Sequence, residues 1–224
     1  MWIRADGGGE PQRLLQDDTR LGRIAIAVSP DGRHIVFEGP GTGIMELAID
    51  NTDPDHPKAG ISERLLDVSQ PYQQGGQGGG DISPDGRWFA YSSADSGPFQ
   101  VFVRPFANGK IAGPGVWQVS ASGGANPVWS RAAHQLLYVT PENHLMVVDY
   151  AVEGNSFHAF KPRPWTNQIV PFPSDAFQRY DLMPDGKRVL ALEADEQPQG
   201  AKVNLHATML LNWFDELRRL SPSR

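Results

Sequence analysis

One short phrase recurs along this chain and constrains its fold more than any other feature. It reads SPDGR at 29–33 and again at 83–87, MPDGK at 183–187, and SRAAH, a degenerate copy, at 130–134. The first residues of the four copies lie 54, 47 and 53 residues apart. A regular period of this length is typical of a repeat protein in which one supersecondary unit is stacked several times.

The similarity between the copies extends beyond the phrase itself. Three flanking positions are apolar in every copy: one residue before its start, and six and eight residues after it. These columns are Val28, Ile82, Trp129 and Leu182; Ile35, Phe89, Leu136 and Val189; and Phe37, Tyr91, Tyr138 and Ala191. Alternating apolar residues indicate β-strands, so each phrase is predicted to join two antiparallel strands.

Pro, Asp and Gly in the phrase suit a tight turn, because proline fixes φ, aspartate accepts backbone N–H groups and glycine tolerates positive φ. The aspartates are therefore interpreted as turn residues. The SRAAH copy has lost all three residue types, which predicts a looser or longer hairpin at that point.

Two further strands follow in each repeat, so the predicted fold is all-β, a β-propeller built from four-stranded antiparallel blades. The complete blades are expected at about 20–68, 79–121 and 125–169, within a single domain, 1–224. A part-blade at 1–16 and a final part-blade at 178–214 bring the total to about four or five blades, followed by a short C-terminal helix at 213–220.

The number of blades does not decide whether the ring is closed. Propellers close with about four to eight blades, and joining the two part-blades would give a ring of only four. We expect an incomplete ring, the C-terminal portion of one with six or more blades. An arc that forms a homo-oligomer and a true four-bladed ring are the alternatives, since an open arc exposes sheet edges.

Composition excludes several classes of function. The formal net charge is −6 and no basic cluster is present, which argues against nucleic-acid binding. The chain has no cysteine, so disulfides and cysteine metal sites are excluded. No apolar run approaches the length of a membrane span.

A search for chemistry finds no catalytic, cofactor-binding or metal-binding residues. The acidic stretch at 50–56 departs from the EF-hand pattern, the glycine run at 73–80 lacks the lysine of a P-loop, and the histidines lack zinc spacing. The candidate binding residues are Asp81, Asn126 and Arg179. They are polar, and we expect them just ahead of the innermost strands, at the mouth of the central channel.

The SPDGR phrases, WQVSASGGANPVWS at 117–130 and VNLHATMLLNWFDELRRL at 203–220 resemble TolB-like, WD-repeat-like propellers. More narrowly, nearly the whole chain resembles the C-terminal propeller found behind the kinase domain of many bacterial serine/threonine protein kinases. The resemblance implies a module that follows a kinase domain and a membrane span and lies outside the cytoplasm. The kinase motifs are absent from this chain, so kinase activity is not carried over.

The expected function is therefore a non-catalytic binding, sensing or protein-interaction module, the propeller part of a bacterial kinase-like signalling protein. Its partner would be an unidentified protein or small ligand at the propeller face. The kinase-linked arrangement implies an extracytoplasmic or periplasmic location, and otherwise the chain would be cytoplasmic. The alternative is a lactonase-like hydrolase, whose channel carboxylates would converge on one metal ion.

Overall fold

The structure is a computed structural model that describes residues 10–11, 13–14, 24–39, 43–53, 55–67, 79–95, 97–169 and 180–191. Within these ranges the chain forms sixteen β-strands and no helix. Twelve of the sixteen residues of the predicted part-blade at 1–16 lie outside the described residues, as does the whole of the predicted helix at 213–220. The part of the final part-blade beyond residue 191 also lies outside them.

The strands form four antiparallel sheets, which we call blades 1 to 4. Blade 1 contains β1 (Ile24–Val28), β2 (His34–Gly39), β3 (Gly43–Asp50) and β4 (Lys58–Leu66). Blade 2 contains β5 (Gly80–Ile82), β6 (Trp88–Ser93), β7 (Gln100–Ala107), β8 (Lys110–Ile111) and β9 (Trp117–Gln118). Blade 3 contains β10 (Ala125–Trp129), β11 (Gln135–Val139), β12 (His144–Glu153), β13 (Ser156–Ala159) and β14 (Arg163–Ile169), and blade 4 contains β15 (Tyr180–Leu182) and β16 (Val189–Ala191).

Blades 2 and 3 each have one more strand than the four-stranded prediction. In both, the long third strand pairs with two later strands: β7 with β8 and β9, and β12 with β13 and β14. The first of these partners follows a tight turn, Asn108–Gly109 or Gly154–Asn155, and pairs with the end of the long strand. A short hairpin thus precedes the outer strand in these two blades.

The complete phrases form the predicted turns. In the first turn, the Ser29 hydroxyl donates to Asp31 Oδ1 at 2.5 Å, and the same Oδ1 accepts the Arg33 N–H at 3.0 Å. The His34 N–H then donates to Ser29 Oγ at 2.9 Å. The equivalent three bonds recur in the turn at 83–88. The phrase is therefore a self-contained set of hydrogen bonds that satisfies the backbone of the turn.

The degenerate copy at 130–134 was predicted to form a looser or longer hairpin, and the structure shows that the hairpin is not longer. Trp129 pairs with Leu136 across this turn, the same separation as in the other three blades. The Ser130 hydroxyl accepts the N–H groups of Ala132 and Ala133, both at 3.2 Å. One serine side chain thus replaces the lost aspartate as the acceptor inside the turn.

The aligned apolar columns occupy equivalent places. The residue before each phrase pairs with the residue six after its start in all four blades: Val28 with Ile35, Ile82 with Phe89, Trp129 with Leu136, and Leu182 with Val189. Phe37, Tyr91 and Tyr138 are all buried, with 3%, 7% and 2% exposure. The repeat therefore reflects one structural unit, as the sequence predicts.

The apolar core lies between successive blades. The largest cluster joins blades 2 and 3 and centres on Trp88, Trp129, Tyr138 and Phe157. Similar clusters join blade 1 to blade 2 and blade 3 to blade 4. The innermost strands β1, β5, β10 and β15 contact one another in chain order, so they are neighbours along the series of blades.

Candidate functional site

The innermost strands border two separate spaces. The first, which we call the strand-end cleft, is an open cleft of about 320 Å³ beside the last residues of these strands. Its lining residues are Ala25, Ile26, Ala27, Val28, Asp81, Val128, Trp129, Arg131, Asp181 and Leu182. Most of them are apolar, and the polar members are two aspartates and one arginine. Val28 is 56% exposed although it lies in an innermost strand.

Asp81 joins blade 2 to blade 3 at this cleft. Its Oδ2 accepts the Trp129 N–H at 2.9 Å, and its Oδ1 accepts the N–H of its own neighbour Ile82 at 2.9 Å. Its backbone carbonyl accepts the indole N–H of Trp129 at 3.0 Å. One residue thus fixes the relative position of β5 and β10 through two hydrogen bonds between blades.

The electrostatics of the strand-end cleft favour a protonated acid. Burial raises the pKa of Asp81 to about 7, because the two backbone N–H groups and the Arg131 charge only partly offset the loss of water, and the Asp181 carboxylate opposes ionisation. Asp181 is exposed and accepts the Leu182 N–H at 2.8 Å. The cleft therefore presents one exposed carboxylate, one exposed guanidinium and an acid that changes charge near neutral pH.

The second space, which we call the strand-start cavity, lies at the beginnings of the innermost strands. Its volume is about 60 Å³. The lining residues are Ile24, Ala25, Ile26, Glu38, Gly79, Gly80, Asn126, Pro127 and Val128. Glu38 comes from β2, the second strand of blade 1, and is only 2% exposed.

Equivalent hydrogen bonds connect successive blades at this end. The Glu38 carboxylate accepts the Gly79 N–H at 3.1 Å, which joins blade 1 to blade 2. One blade further on, the Ser92 hydroxyl accepts the Asn126 N–H at 3.1 Å. Glu38 and Ser92 occupy the same position in their repeats, nine residues after the start of the phrase. A carboxylate in blade 1 and a hydroxyl in blade 2 therefore fill the same structural role.

Burial also raises the pKa of Glu38 above its ordinary value, and the Gly79 N–H only partly offsets this effect. Asn126 lies nearby in the left-handed region of backbone conformation, with φ of 53°. The hydroxyl of Tyr180 donates to the Asn126 carbonyl at 2.9 Å and so joins blade 3 to blade 4. The backbone of the cavity is thereby anchored from both neighbouring blades.

The structure separates the residues that the sequence singled out. Asp81 lines the strand-end cleft and Asn126 lines the strand-start cavity. Both lie within innermost strands, β5 and β10, rather than just ahead of them. Arg179 lies outside the described residues. The expectation that these three side chains form one binding surface stays a prediction.

Sequence reasoning missed Glu38, a carboxylate that is only 2% exposed and lines the strand-start cavity. The sequence did contain a signal for Glu38. Glu38 lies two residues after the apolar residue Val36 in β2, so both side chains lie on the same, buried face of the strand. Charged residues at such positions are rare unless they are paired. Arg131 and Asp181 were also missed, since their part in the cleft depends on the arrangement of the blades.

The described part of the chain contains neither a cluster of metal ligands nor a membrane-spanning helix. No group of three or more His, Asp or Glu side chains in these ranges could hold a metal ion. Among the same residues, no helix has the length and apolar character needed to cross a membrane.

Comparison with known proteins supports the fold. No protein-family model matches the sequence, and no curated protein matches it significantly. TolB from Acinetobacter baumannii aligns with a TM-score of 0.50 and 14% identity, over 87% of this chain and 42% of that protein. Two proteins provisionally named 6-phosphogluconolactonase align similarly. The one from Bacteroides uniformis gives a TM-score of 0.50 and 18% identity, over 79% of this chain and 49% of that protein. The one from Bacteroides fragilis gives 0.51 and 14%, over 82% and 50%.

These similarities establish a β-propeller fold, and at such identities they establish the fold alone. The chain spans about half the length of the solved structures it matches. Because one fold serves many functions, the activity of the neighbours is not transferred to this chain by the comparison.

Proposed function

We propose that this chain is a non-catalytic binding module that recognises a partner protein or ligand in the strand-end cleft. The observation that carries the proposal is the cleft itself, where apolar side chains such as Val28 lie beside three charged or titratable side chains, Asp81, Asp181 and Arg131. Binding sites commonly combine apolar side chains, which supply affinity, with a few polar groups, which supply orientation. The 56% exposure of Val28 adds an accessible apolar contact.

The hydrogen bonds of Asp81 favour binding over catalysis. Each of its carboxylate oxygens accepts a backbone N–H, so the side chain already holds two blades together. A catalytic base must instead reach the proton that it removes. Asp181 likewise accepts the N–H of the next residue.

A lactonase-like hydrolase is the second candidate, and one observation favours it. The raised pKa of Asp81, about 7, lies in the range of an acid–base catalyst. Two structures with the same fold are provisionally named lactonases. Hydrolysis of 6-phosphogluconolactone by the purified chain, lost in Asp81→Asn with folding retained, would favour this candidate.

We further propose that the module belongs to a larger bacterial signalling protein of the kinase-linked type, with the propeller outside the cytoplasm. The proposal is supported by the resemblance of the segment at 203–220 to the kinase-linked propellers. Sequencing of the adjoining reading frame tests it. An in-frame kinase domain and membrane span are expected, and their absence would contradict this parentage.

The binding role is tested by photo-cross-linking in the native host. A benzoylphenylalanine at Val28 places the reactive group in the cleft, and the matched control places it at Ile61, which is 87% exposed on the outer strand β4. We expect a discrete cross-linked product from position 28 alone. Asp181→Lys, which reverses an exposed charge of the cleft, should reduce the yield several-fold.

Equal labelling from both positions, or a product that is insensitive to the charge of residue 181, would contradict the proposed site. The cleft would then be part of the surface without a dedicated partner.

A further inference from the structure

The buried carboxylate of Glu38 has fewer hydrogen bonds than an ionised group of its kind requires. A carboxylate can accept about four hydrogen bonds, and the described residues supply one, the Gly79 N–H at 3.1 Å. Arginine and lysine side chains of the described ranges form no ion pair with it. The side chain is nevertheless only 2% exposed. A buried charge in this condition is costly unless a partner arrives.

The hydrogen bond between blades does not require that charge. Ser92, at the same position of the next repeat, accepts the corresponding N–H with a neutral hydroxyl at 3.1 Å. A serine or glutamine at residue 38 would therefore connect the blades without the cost of burying a carboxylate. The presence of an acid at residue 38 therefore indicates a role besides connecting blade 1 to blade 2.

The strand-start cavity lies against this carboxylate and has space for a small ligand. Its volume of about 60 Å³ is several times the roughly 10–15 Å³ that a cavity needs in order to hold one water molecule. Most of its walls are apolar, and Ile24, Ile26 and Val128 are among them. The amide of Asn126 adds a polar group, since its oxygen lies 2.9 Å from the point where a Cβ on Gly79 would stand.

We propose that the strand-start cavity binds a primary alkylammonium group, with the Glu38 carboxylate as its counter-ion. An ammonium group has three donors and no acceptor, so it complements a carboxylate with free acceptor positions. Its alkyl stem would lie along the apolar walls, as lysine side chains do elsewhere.

Other cations suit the cavity less well. A guanidinium group binds a carboxylate best through two parallel hydrogen bonds, and here the Gly79 N–H already engages the carboxylate. A calcium ion requires six to eight oxygen ligands, whereas most of the cavity walls are apolar. A compact point charge on a short apolar stem is the best match.

The alkylammonium group could come from a free amine or from a lysine side chain of a partner. The site is separate from the strand-end cleft and from its three polar residues, although the two spaces share Ala25, Ile26 and Val128. The inference therefore does not rest on the proposed function, and either can fail while the other stands.

The test is a titration of the ¹⁵N-labelled chain at constant ionic strength. The probes are butylammonium, its neutral analogue butanol, tetramethylammonium, and a blocked tripeptide with a central lysine. The reporters are the amide signals of Gly79 and Gly80. We expect saturable shifts with butylammonium, with a Kd on the order of 1 mM for so small a ligand, and no saturation with butanol or tetramethylammonium.

The lysine peptide separates the two sources. Saturation by both the peptide and butylammonium would identify a pocket for a partner's lysine, and saturation by butylammonium alone would identify a pocket for a free amine. Either result supports the proposal.

The key variant is Glu38→Gln, which keeps a carbonyl acceptor for the Gly79 N–H and removes the charge. We expect it to weaken butylammonium binding at least tenfold. The matched control is Glu46→Gln, which changes another buried carboxylate, 5% exposed, that does not line the cavity. It should leave the affinity within twofold. Thermal unfolding of each variant verifies that it is folded.

Three outcomes would overturn the inference. These are no saturable shift with butylammonium, equal shifts with butanol, and an affinity that Glu38→Gln leaves unchanged. Should Glu38→Gln fail to fold, the comparison of butylammonium with butanol on the unaltered chain still decides the question.

Discussion

At residue 38 the chain places a carboxylate where the next repeat has a serine. Both side chains accept a backbone N–H from the following blade, but only the carboxylate carries a charge into an environment that raises its pKa. Burying the charge of Glu38 is costly, and Ser92 forms the equivalent hydrogen bond without a charge. We infer that the acid at residue 38 serves something other than stability.

This cost predicts a pH-dependent effect of Glu38→Gln on stability. A carboxyl group whose pKa is raised by folding stabilises the folded state below its unfolded pKa and loses that contribution as pH rises through the folded pKa. The variant should therefore gain free energy of unfolding relative to the unaltered chain as the pH rises from the ordinary pKa of a glutamate, 4.5, through the raised pKa of Glu38 in the folded state. Urea unfolding across this interval measures the difference. A difference that is constant with pH would contradict the account.

Gly109 lies where blade 2 approaches blade 1 closely, and its replacement should destabilise the fold. It has φ of 75°, and a Cβ there would lie 2.5 Å from His34 Nδ1 and 2.8 Å from Glu46 Oε1. Gly109→Ala should cost about 2 kcal/mol or more, since positive φ alone costs about 1–2 kcal/mol for other residues and the collision adds to it. Gly154→Ala is the control, because its φ of 58° is similar and nothing lies within 4 Å.

The measurement is the free energy of unfolding of both variants. Equal losses would mean that the contact between Gly109 and the His34–Glu46 pair contributes nothing.

The turn formed by the SPDG phrase is the structural element that recurs between the first two strands of the blades. Ser83 is fully buried, donates to Asp85 at 2.5 Å and accepts the Trp88 N–H at 2.9 Å. Ser83→Ala leaves the buried Trp88 N–H without an acceptor, which should cost about 1–3 kcal/mol. Ser122→Ala, at an exposed position, should have little effect. Denaturant unfolding of the pair tests this prediction, and a loss shared equally by both variants would refute it.

At this scale the sequence predicts much of what the structure contains. The turns at 29–33, 83–87 and 183–187 and the pairing beside them follow from proline, aspartate and glycine preferences and from the apolar columns. The hairpin at 130–134 was predicted to be looser or longer, and it is not longer, because one serine hydroxyl accepts two N–H groups inside the turn. The extra strands β8 and β13 were also missed, since a two-to-four-residue pairing leaves little periodic signal.

Contacts between blades hold the molecule together. One pair of tryptophans allows the contribution of a single hydrogen bond between blades to be measured. The Trp129 indole N–H donates to Asp81 in the neighbouring blade, whereas the buried Trp88 indole N–H has no hydrogen-bond partner among the described residues. Both replacements by phenylalanine leave a similar cavity in the same core. Trp129→Phe should therefore cost about 1–2 kcal/mol more than Trp88→Phe, as measured by thermal unfolding.

A larger loss for Trp88→Phe would contradict this assignment of the hydrogen bond between blades.

The arrangement of the blades was predictable and the site within it was only partly so. A period near 50 residues with matched columns suffices for a propeller, and the structural neighbours share that fold. Asp81 and Asn126 were selected because they are polar beside apolar columns. Glu38 and Arg131 lie apart in sequence from the strands they face, so their roles depend on how the blades pack.

The account depends above all on four equivalent hairpins whose innermost strands are neighbours in chain order. Methyl and indole NOEs test this most directly. We expect cross-peaks between Ala27 and Ile82, between the Trp129 indole proton and Asp81, and between Val128 and Leu182, which connect β1, β5, β10 and β15 in turn. Absence of these cross-peaks in the folded chain, or a set that connects the strands in another order, would contradict the propeller arrangement.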